Sequence, residues 1–227
     1  DVIECYQAIR DDVEAVIHES LEIDAAYHAG GSEVYYAQRE RFVHADASMP
    51  RPVRSAVFLF LNRAGFNGLY RVNASGAYNV PEGRYARLPR VRAGVLRQAA
   101  RALQQAGVSI ACQPFEQALD SAGGGDFVYC DPPYVPASKT ASFTSYTPGG
   151  FGEEAQRSLQ QCVVAAASRG AVVVVSNAGG AASLYRTPEA EAAGVCVTRV
   201  RARRAIGADA RGRGSVSELV VHAGVFT

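Results

Sequence analysis

Asp126-Phe-Val-Tyr-Cys-Asp131-Pro-Pro-Tyr134 is the stretch that decides the predicted fold. Its residues 127–130 form a short apolar run with aromatic and β-branched members, and such a run predicts a buried strand. The two prolines end that strand, because proline cannot donate to a sheet ladder. The sequence therefore predicts that Asp131 lies at the carboxyl end of a buried strand, where open α/β sheets bind their ligands.

An aspartate followed by two prolines and a tyrosine suits chemistry on an amine attached to an aromatic ring. Such an amine is a poor nucleophile, because its lone pair is delocalised into the ring. Asp131 and a carbonyl of Pro132 or Pro133 could accept its two N–H groups and redirect the lone pair, while Tyr134 offers a face on which a base can stack. The alternative is a proline turn with an incidental aspartate.

The carboxyl-terminal half alternates strands with helices, which predicts a parallel sheet and the α/β fold class. The predicted strands cover residues 108–112, 127–130, 171–176, 195–200 and 216–222. The predicted helices cover residues 115–119, 153–169 and 181–185. We expect the last two strands to form an antiparallel hairpin at the edge of the sheet.

The amino-terminal half is predicted to be helical, apart from one hairpin. Apolar residues recur at helical spacing over residues 1–19, 32–42 and 91–105. Gly30-Gly31 separates the first two of these helices. A strongly apolar run over residues 53–61 predicts a buried helix, although its β-branched and aromatic content leaves a strand possible.

The composition predicts a soluble cytoplasmic protein. At 227 residues the chain suffices for one domain, or for one domain with a sizeable insertion. Five widely spaced cysteines and four histidines without ligand spacing predict free thiols and no metal site. We recognise neither a signal peptide nor a long apolar span, so we expect no membrane segment.

Charge is segregated along the chain, although the formal net charge is only +1. Residues 1–46 contain eleven acids and three arginines, a net charge of −8. Residues 51–101 contain ten arginines and one acid, a net charge of +9, and residues 199–213 contain six arginines and one acid, a net charge of +5. Clustered arginine predicts a phosphate backbone as partner. A solvated helix face would account for residues 90–101 alone.

A polar hairpin is predicted around the turn Asn73-Ala-Ser-Gly76. Leu61-Asn-Arg-Ala-Gly-Phe-Asn67-Gly-Leu-Tyr-Arg71 precedes the turn and Tyr78-Asn-Val-Pro81-Glu-Gly-Arg84-Tyr85 follows it. The hairpin has little to bury, but arginine and asparagine can pair bidentately with guanine and adenine in the major groove. A surface hairpin with a stable turn is the alternative.

These stretches resemble those of the N6-adenine DNA methyltransferases of the Dam family, from the first residues almost to the last. Matching stretches also include Ser142-Phe143-Thr144-x-Tyr146, Ser176-Asn177 and Arg203-Arg204-Ala-Ile206. The resemblance implies a Rossmann-like methyltransferase sheet without its first strands, and an inserted helical and β-hairpin recognition domain. Residues 1–19 and 93–227 would form the catalytic domain, and residues 20–92 the domain that recognises the DNA target.

The resemblance implies transfer of a methyl group from S-adenosylmethionine to adenine N6 in double-stranded DNA, within GATC. It also implies a monomer that acts at the nucleoid. The implied catalytic residues are Asp131, Pro132, Pro133 and Tyr134. The implied donor-binding residues are Phe115 and Asp131, although Phe115 could equally be a core aromatic. The implied DNA-contacting residues are Phe66, Asn67, Leu69, Arg71, Pro81, Arg84, Tyr85, Phe143 and Tyr146. No metal is implied.

The sequence departs from the family pattern in three respects. Neither Gly30-Gly31 nor Gly123-Gly124-Gly125 follows a predicted buried strand, so neither matches the glycine loop that holds the methyl donor, and the acid that binds its ribose also has no match. Pro114 replaces a small polar or acidic residue, and Glu82 replaces an aromatic. The missing donor loop leaves a catalytically incompetent DNA-binding remnant as one alternative. A methyltransferase for another amine, such as cytosine N4, is the other.

Overall fold

The computed structural model describes residues 1–73, 75–135, 150–203 and 215–224. The chain divides into two compact units, Asp1–Cys112 and Gln113–Thr227, each with a hydrophobic core of its own. The recognition domain was predicted to begin at residue 20 and to end at residue 92. Both positions lie inside the first unit, whose helices pack together across them. The functional division into domains stays a prediction.

The first unit is helical in its described residues. Its α-helices are α1 Val2–Asp11, α2 Val13–Gly30, α3 Ser32–Val43, α4 Arg51–Ala64 and α5 Ala93–Leu103, and a 3-10 turn, Phe66–Gly68, follows α4. Helices α1, α2 and α3 all pack against α4, which buries its aromatic and β-branched side chains. The buried helix predicted for residues 53–61 is therefore confirmed.

The helix predicted over residues 1–19 is in fact two helices. The break is at Asp12, whose backbone is not helical (φ −150°, ψ 67°) and whose carboxylate accepts from the Ala15 N–H at 3.2 Å. Aspartate favours this N-cap position, because its side chain satisfies an N–H that has no partner within the helix. The predicted break at the glycine pair is confirmed at Gly31, whose φ of 60° favours glycine.

The second unit contains a mixed sheet of four strands in its described residues. The strands are β1 Phe127–Cys130, β2 Val172–Ala178, β3 Cys196–Arg203 and β4 Ser215–Ala223, in the order β1-β2-β4-β3. Strands β1 and β2 are parallel, whereas β2 and β3 each pair antiparallel with β4. The predicted α/β fold class and the antiparallel hairpin of the last two strands are confirmed.

Helices pack against the sheet and supply the rest of the second core. They are α6 Phe115–Asp120, α7 Glu153–Ser168, α8 Pro188–Ala192 and a 3-10 helix, Gly179–Tyr185. Helix α7 connects β1 to β2, as a parallel pair requires a crossover. Helix α8 was not predicted, because five residues are too few to show helical periodicity. None of the described helices is both long enough and apolar enough to span a membrane.

One predicted strand does not form, and another has the predicted bounds but is not buried. Residues 108–112 form no strand, because Val108 is 41% exposed and the Ile110 carbonyl accepts from the Gln7 side chain at 3.2 Å rather than from a neighbouring strand. Strand β1 is not buried, since Phe127 and Tyr129 are each 58% exposed. Among the four described strands, β1 is the outermost one, next to β2.

Asp24 of α2 is a buried carboxylate that joins three segments of the first unit. It is 1% exposed, forms a two-pronged ion pair with Arg63 of α4, and accepts from the Val91 N–H at 2.6 Å. Because a buried charge without partners is costly, these donors are what allow a carboxylate at this position. The contact fixes the segment before α5 to α2 and α4.

We expect Asp24→Asn to lower the free energy of unfolding by about 3 kcal/mol, because it leaves the Arg63 guanidinium without its counter-ion. Urea denaturation measures the loss. Glu14→Gln is the matched control: it removes the partner of Arg97 in an exposed ion pair and should change stability little. A loss below about 1 kcal/mol for Asp24→Asn would contradict the importance of the buried pair.

Candidate functional site

Asp131 directly follows β1, and a residue of β2 holds its carboxylate. Strands β1 and β2 pair in register as far as Cys130 and Val175, which brings Asp131 beside Ser176. The Ser176 hydroxyl donates to Asp131 Oδ1 at 2.7 Å and accepts from the Tyr129 hydroxyl at 3.2 Å. Ser176 therefore orients the carboxylate through Oδ1, and Oδ2 has no donor among the described residues.

Tyr134 lies half-buried, three residues after Asp131. Burial is the main cause that raises the pKa of Tyr134; the Ser176 hydroxyl opposes the rise, and the carboxylates of Asp131 and Glu218 add to it. The phenol is therefore protonated at neutral pH. Its chemical contribution is a flat neutral ring rather than a base.

Two buried side-chain amides hold the backbone on both sides of Tyr134. Gln156 of α7 donates through Nε2 to the Pro133 carbonyl at 2.7 Å and accepts at Oε1 from Asn177 Nδ2 at 3.0 Å. Asn177 of β2 accepts at Oδ1 from the Val135 N–H at 3.0 Å. Gln156 is 2% exposed and Asn177 is fully buried. We call this pair the amide bridge.

In the first unit, three predicted DNA-contacting residues are brought together on neighbouring loops. The Phe66 N–H donates to the Pro81 carbonyl at 2.9 Å, and an isolated antiparallel bridge joins Gly65 to Glu82. The Tyr85 hydroxyl donates to the Gly65 carbonyl at 3.0 Å. Phe66 and Tyr85 are each 42% exposed, so these loops present two aromatic rings to solvent.

Asn67 adopts a left-handed backbone conformation, with φ 54° and ψ 22°. Asparagine is one of the few non-glycine residues that enter this region, and such strained positions cluster at functional sites. The turn is held by Asn62, whose Nδ2 donates to the Gly68 carbonyl at 2.7 Å. The Asn67 side chain is exposed, as a base contact requires.

Arg71 is exposed, and Asn79 orients its guanidinium. Arg71 Nε donates to Asn79 Oδ1 at 2.8 Å, and Nη2 donates to the Asn79 carbonyl at 3.0 Å. These contacts use one edge of the guanidinium, whose donors form a rigid fork. The edge formed by Nη1 and Nη2 is left for a second acceptor.

The hairpin that carries Arg71 is less regular than predicted. Its turn lies where the sequence places it, because Asn73 Oδ1 accepts from the N–H groups of Ser75 at 3.0 Å and Ala77 at 2.9 Å. In the described residues, however, the strand pairing between its arms is an isolated bridge between Val72 and Tyr78. Tyr78 is buried and its hydroxyl donates to a carbonyl of α4 at 3.2 Å, so this arm is held by the helical core.

Three further loop residues differ in what they offer a ligand. Arg84 is exposed, whereas Leu69 is half-buried against the core of the first unit, so only part of its side chain is accessible. Glu82 accepts from the Tyr27 hydroxyl at 2.5 Å and from the Ser32 hydroxyl. Glu82 thus anchors its loop to α2 and α3.

The segregated charges of the sequence are partly paired in the fold. Acids of α1 and α2, together with Asp1, form ion pairs with arginines of α4 and α5: Asp11–Arg51, Asp1–Arg54, Asp24–Arg63 and Glu14–Arg97. Six arginines between residues 51 and 101 are exposed and have no ion-pair partner among the described residues: Arg71, Arg84, Arg87, Arg90, Arg92 and Arg101. The surface that can meet phosphates is smaller than the sequence indicates.

A family model for the D12 class N6 adenine-specific DNA methyltransferases matches residues 1–195. The chain belongs to this family. A type II methyltransferase of Lactococcus lactis subsp. cremoris, M1.LlaDCHI, is 34% identical over 226 residues, which cover 97% of this chain and 75% of that protein. A DNA adenine methylase of Vibrio cholerae is 34% identical over 223 residues, or 97% and 76% of the two chains. The DNA adenine methylase of Escherichia coli K12 is 34% identical over 177 residues, or 78% and 61%. The resemblance seen in the sequence is confirmed.

Membership of the D12 class implies S-adenosylmethionine as methyl donor, and residues of the second unit fit it. Phe115 is half-buried at the start of α6, with its ring centroid 5.7 Å from that of Phe151. Both rings pack against the same core as Cys130, the residue before Asp131. An aromatic face suits the adenine of the donor, and the Asp131 carboxylate with the Tyr134 ring suits its sulfonium cation.

One cavity of the second unit lies apart from the predicted site residues. This cavity of about 250 Å³ lies between α6 and α7 and is lined in part by Leu119, Asp120 and Cys162. It is smaller than the ~300–1,000 Å³ typical of ligand pockets. The described residues contain no cluster of three or more His, Cys, Asp or Glu side chains able to hold a metal ion.

Two predicted site residues of this D12-class methyltransferase lie outside the described part of the chain. Three residues that contact the site residues were not predicted. Phe143 and Tyr146 lie outside the described residues. Sequence reasoning did not assign roles to Gln156, Asn79 or Ser176. The Ser-Asn pair at the end of β2 was visible as a polar end to an apolar strand, which is the signal that could have found Ser176. Nothing local in the sequence marks Gln156.

Proposed function

We propose that this chain transfers a methyl group from S-adenosylmethionine to the N6 amine of adenine, within GATC, in double-stranded DNA. The observation that carries the proposal is the end of β1, where Ser176 holds Asp131 Oδ1 and no described donor occupies Oδ2. A carboxylate oxygen next to the ring of Tyr134 is what a planar amine requires. Similarity to proteins named DNA adenine methylases favours adenine over other amines.

The Pro132 carbonyl is the second acceptor that we assign to the amine. The Pro133 carbonyl already accepts from Gln156 at 2.7 Å, whereas no donor in the described residues contacts the Pro132 carbonyl. When Asp131 Oδ2 and the Pro132 carbonyl accept the two N–H groups, the lone pair of the amine is directed out of the plane of the base. The same acceptors stabilise the positive charge that nitrogen develops as the new N–C bond forms.

The other role of Asp131 and Tyr134 is to position the adenine. The methyl donor, when bound, supplies an electrophilic methyl group on a positively charged sulfur. An adenine inside the duplex cannot reach it, so the base must flip out at a cost of a few kcal/mol, and Tyr134 offers a face to the flipped ring. Orienting reactants is worth roughly 7–11 kcal/mol. The methylated nitrogen is cationic and loses its proton readily to water, so no general base is needed.

Reading of the target is assigned to the loops of the first unit. Arg71 keeps the Nη1–Nη2 edge of its guanidinium available while Asn79 holds the other edge. That edge matches O6 and N7 of guanine in the major groove. Phe66 and Tyr85 supply exposed aromatic rings on loops of the same unit, and Asn67 supplies an exposed amide.

Asp131→Ala is expected to abolish methyl transfer while leaving the dissociation constant for DNA within a few-fold, because the carboxylate is assigned to the flipped amine and to the methyl donor, not to the duplex. Turnover with tritiated methyl donor and DNA binding by fluorescence anisotropy measure the two effects. Asp126→Ala is the matched control, since it removes the carboxylate at the opposite end of β1. A mutant that keeps more than a tenth of wild-type turnover, a loss below ~1.4 kcal/mol, rules out the assigned role.

Arg71→Ala should lose discrimination mainly at one outer G·C pair of GATC, by about 1–3 kcal/mol, because a single bidentate base contact is lost. Methylation of GATC and of its single-base variants measures the effect. Arg71→Lys is the matched variant, since it keeps the charge but not the fork, and it should lose discrimination as well. A uniform fall over all sites would make Arg71 a phosphate contact. Equal wild-type activity at unrelated adenine sites would remove the GATC assignment.

Salt should weaken DNA binding with a slope of log affinity against log salt steeper than about −2, since each phosphate contact contributes about −0.9. The physical reason is the set of exposed, unpaired arginines described above. Replacing Arg87 and Arg90 together by alanine should flatten the slope, whereas Arg97→Ala should not, because Glu14 already neutralises Arg97. A slope near zero in the wild-type chain would mean that these arginines do not face phosphates.

A further inference from the structure

The amide bridge between Gln156 and Asn177 has no role in the chemistry assigned so far. Both side chains are buried in the second unit, and each makes hydrogen bonds at both its oxygen and its nitrogen. Buried polar networks of this kind favour a single arrangement when every member is satisfied. The backbone groups that the bridge binds belong to Pro133 and Val135, on either side of Tyr134.

Backbone groups alone determine how the two amides are oriented. The N–H groups of Val135 and Ala178 can only donate, so the oxygen of Asn177 must face them, at 3.0 Å and 2.8 Å. Its nitrogen must then face Gln156, whose oxygen accepts. The nitrogen of Gln156 is thereby directed at the Pro133 carbonyl. Reversing either amide would oppose two donors or two acceptors.

We propose that Gln156 and Asn177 are positioning residues for methyl transfer, an inference that rests on the proposed function. The bridge fixes the peptide bonds before and after Tyr134, and with them the direction in which the ring leaves the backbone. It also occupies the Pro133 carbonyl, so that the Pro132 carbonyl is the backbone acceptor presented with Asp131. Neither amide touches the base: both act through the backbone of the loop.

Gln156→Met tests the proposal, because methionine has a similar length but cannot make either hydrogen bond. We expect the single-turnover rate of methyl transfer to fall about 10- to 100-fold, since a misplacement of about 1 Å costs that much. The dissociation constant for DNA should stay within about threefold. Amide exchange of Val135, followed by NMR, should accelerate at least tenfold as Asn177 loses its own anchor. Gln161→Met, at an exposed glutamine of the same helix, should change none of these quantities.

Gln156→Asn keeps a buried polar side chain but is one methylene shorter, so it should reproduce both losses even if methionine disturbs folding. Unchanged exchange at Val135 in a folded variant, or accelerated exchange with an unchanged rate of methyl transfer, overturns the positioning role. An equal loss of methyl-transfer rate in Gln161→Met also overturns it. Failure of the proposed function is seen separately: the wild-type chain would then transfer no methyl group to adenine, whatever the variants do.

Discussion

The parallel pairing of β1 with β2 is the constraint on which the candidate active site depends. Asp131 is attached to β1, but the side chains that hold its carboxylate and its loop, Ser176 and Asn177, are consecutive residues of β2. Consecutive strand residues point to opposite faces, so the two serve the site from both sides of the sheet. A slip of one residue would exchange those faces. The buried valines that fix the register of β2 therefore also fix the chemistry.

The parts of the site that follow from local sequence could be predicted. Two prolines after an apolar run place Asp131 and Tyr134 at a strand end, because two successive residues that cannot donate to the sheet ladder do not continue a strand. Gln156 could not be predicted, since α7 also carries Gln160 and Gln161 and only the packing of the helix decides which glutamine is buried. The exposure of β1 has the same origin: its residues are apolar enough for a central strand, and its outermost place among the described strands follows only from the order of the sheet.

The first unit shows the same division between local and long-range information. The buried helix α4 follows from apolar spacing, and the break at Gly31 follows from glycine. The break at Asp12 was harder to predict, because the apolar spacing continues across it and only the capping side chain marks the end of one helix and the start of the next. The strand expected at residues 108–112 had suitable residues but finds no partner strand in the described part of the chain. Charge was hardest to interpret, because acids and arginines far apart in sequence meet only when the helices pack.

The internal pairing of arginine with acid has a consequence for how such a protein would search DNA. An arginine already bound to a carboxylate gains little from exchanging it for a phosphate. Helices α4 and α5 would therefore bind DNA phosphates more weakly than their sequences suggest. Non-specific binding depends on the number of phosphates neutralised. Fewer contacts mean a shorter stay at each wrong position and faster hopping to the next. Under the proposed function, the acids of the amino-terminal helices would compete with DNA phosphates for these arginines and so shorten each non-specific encounter.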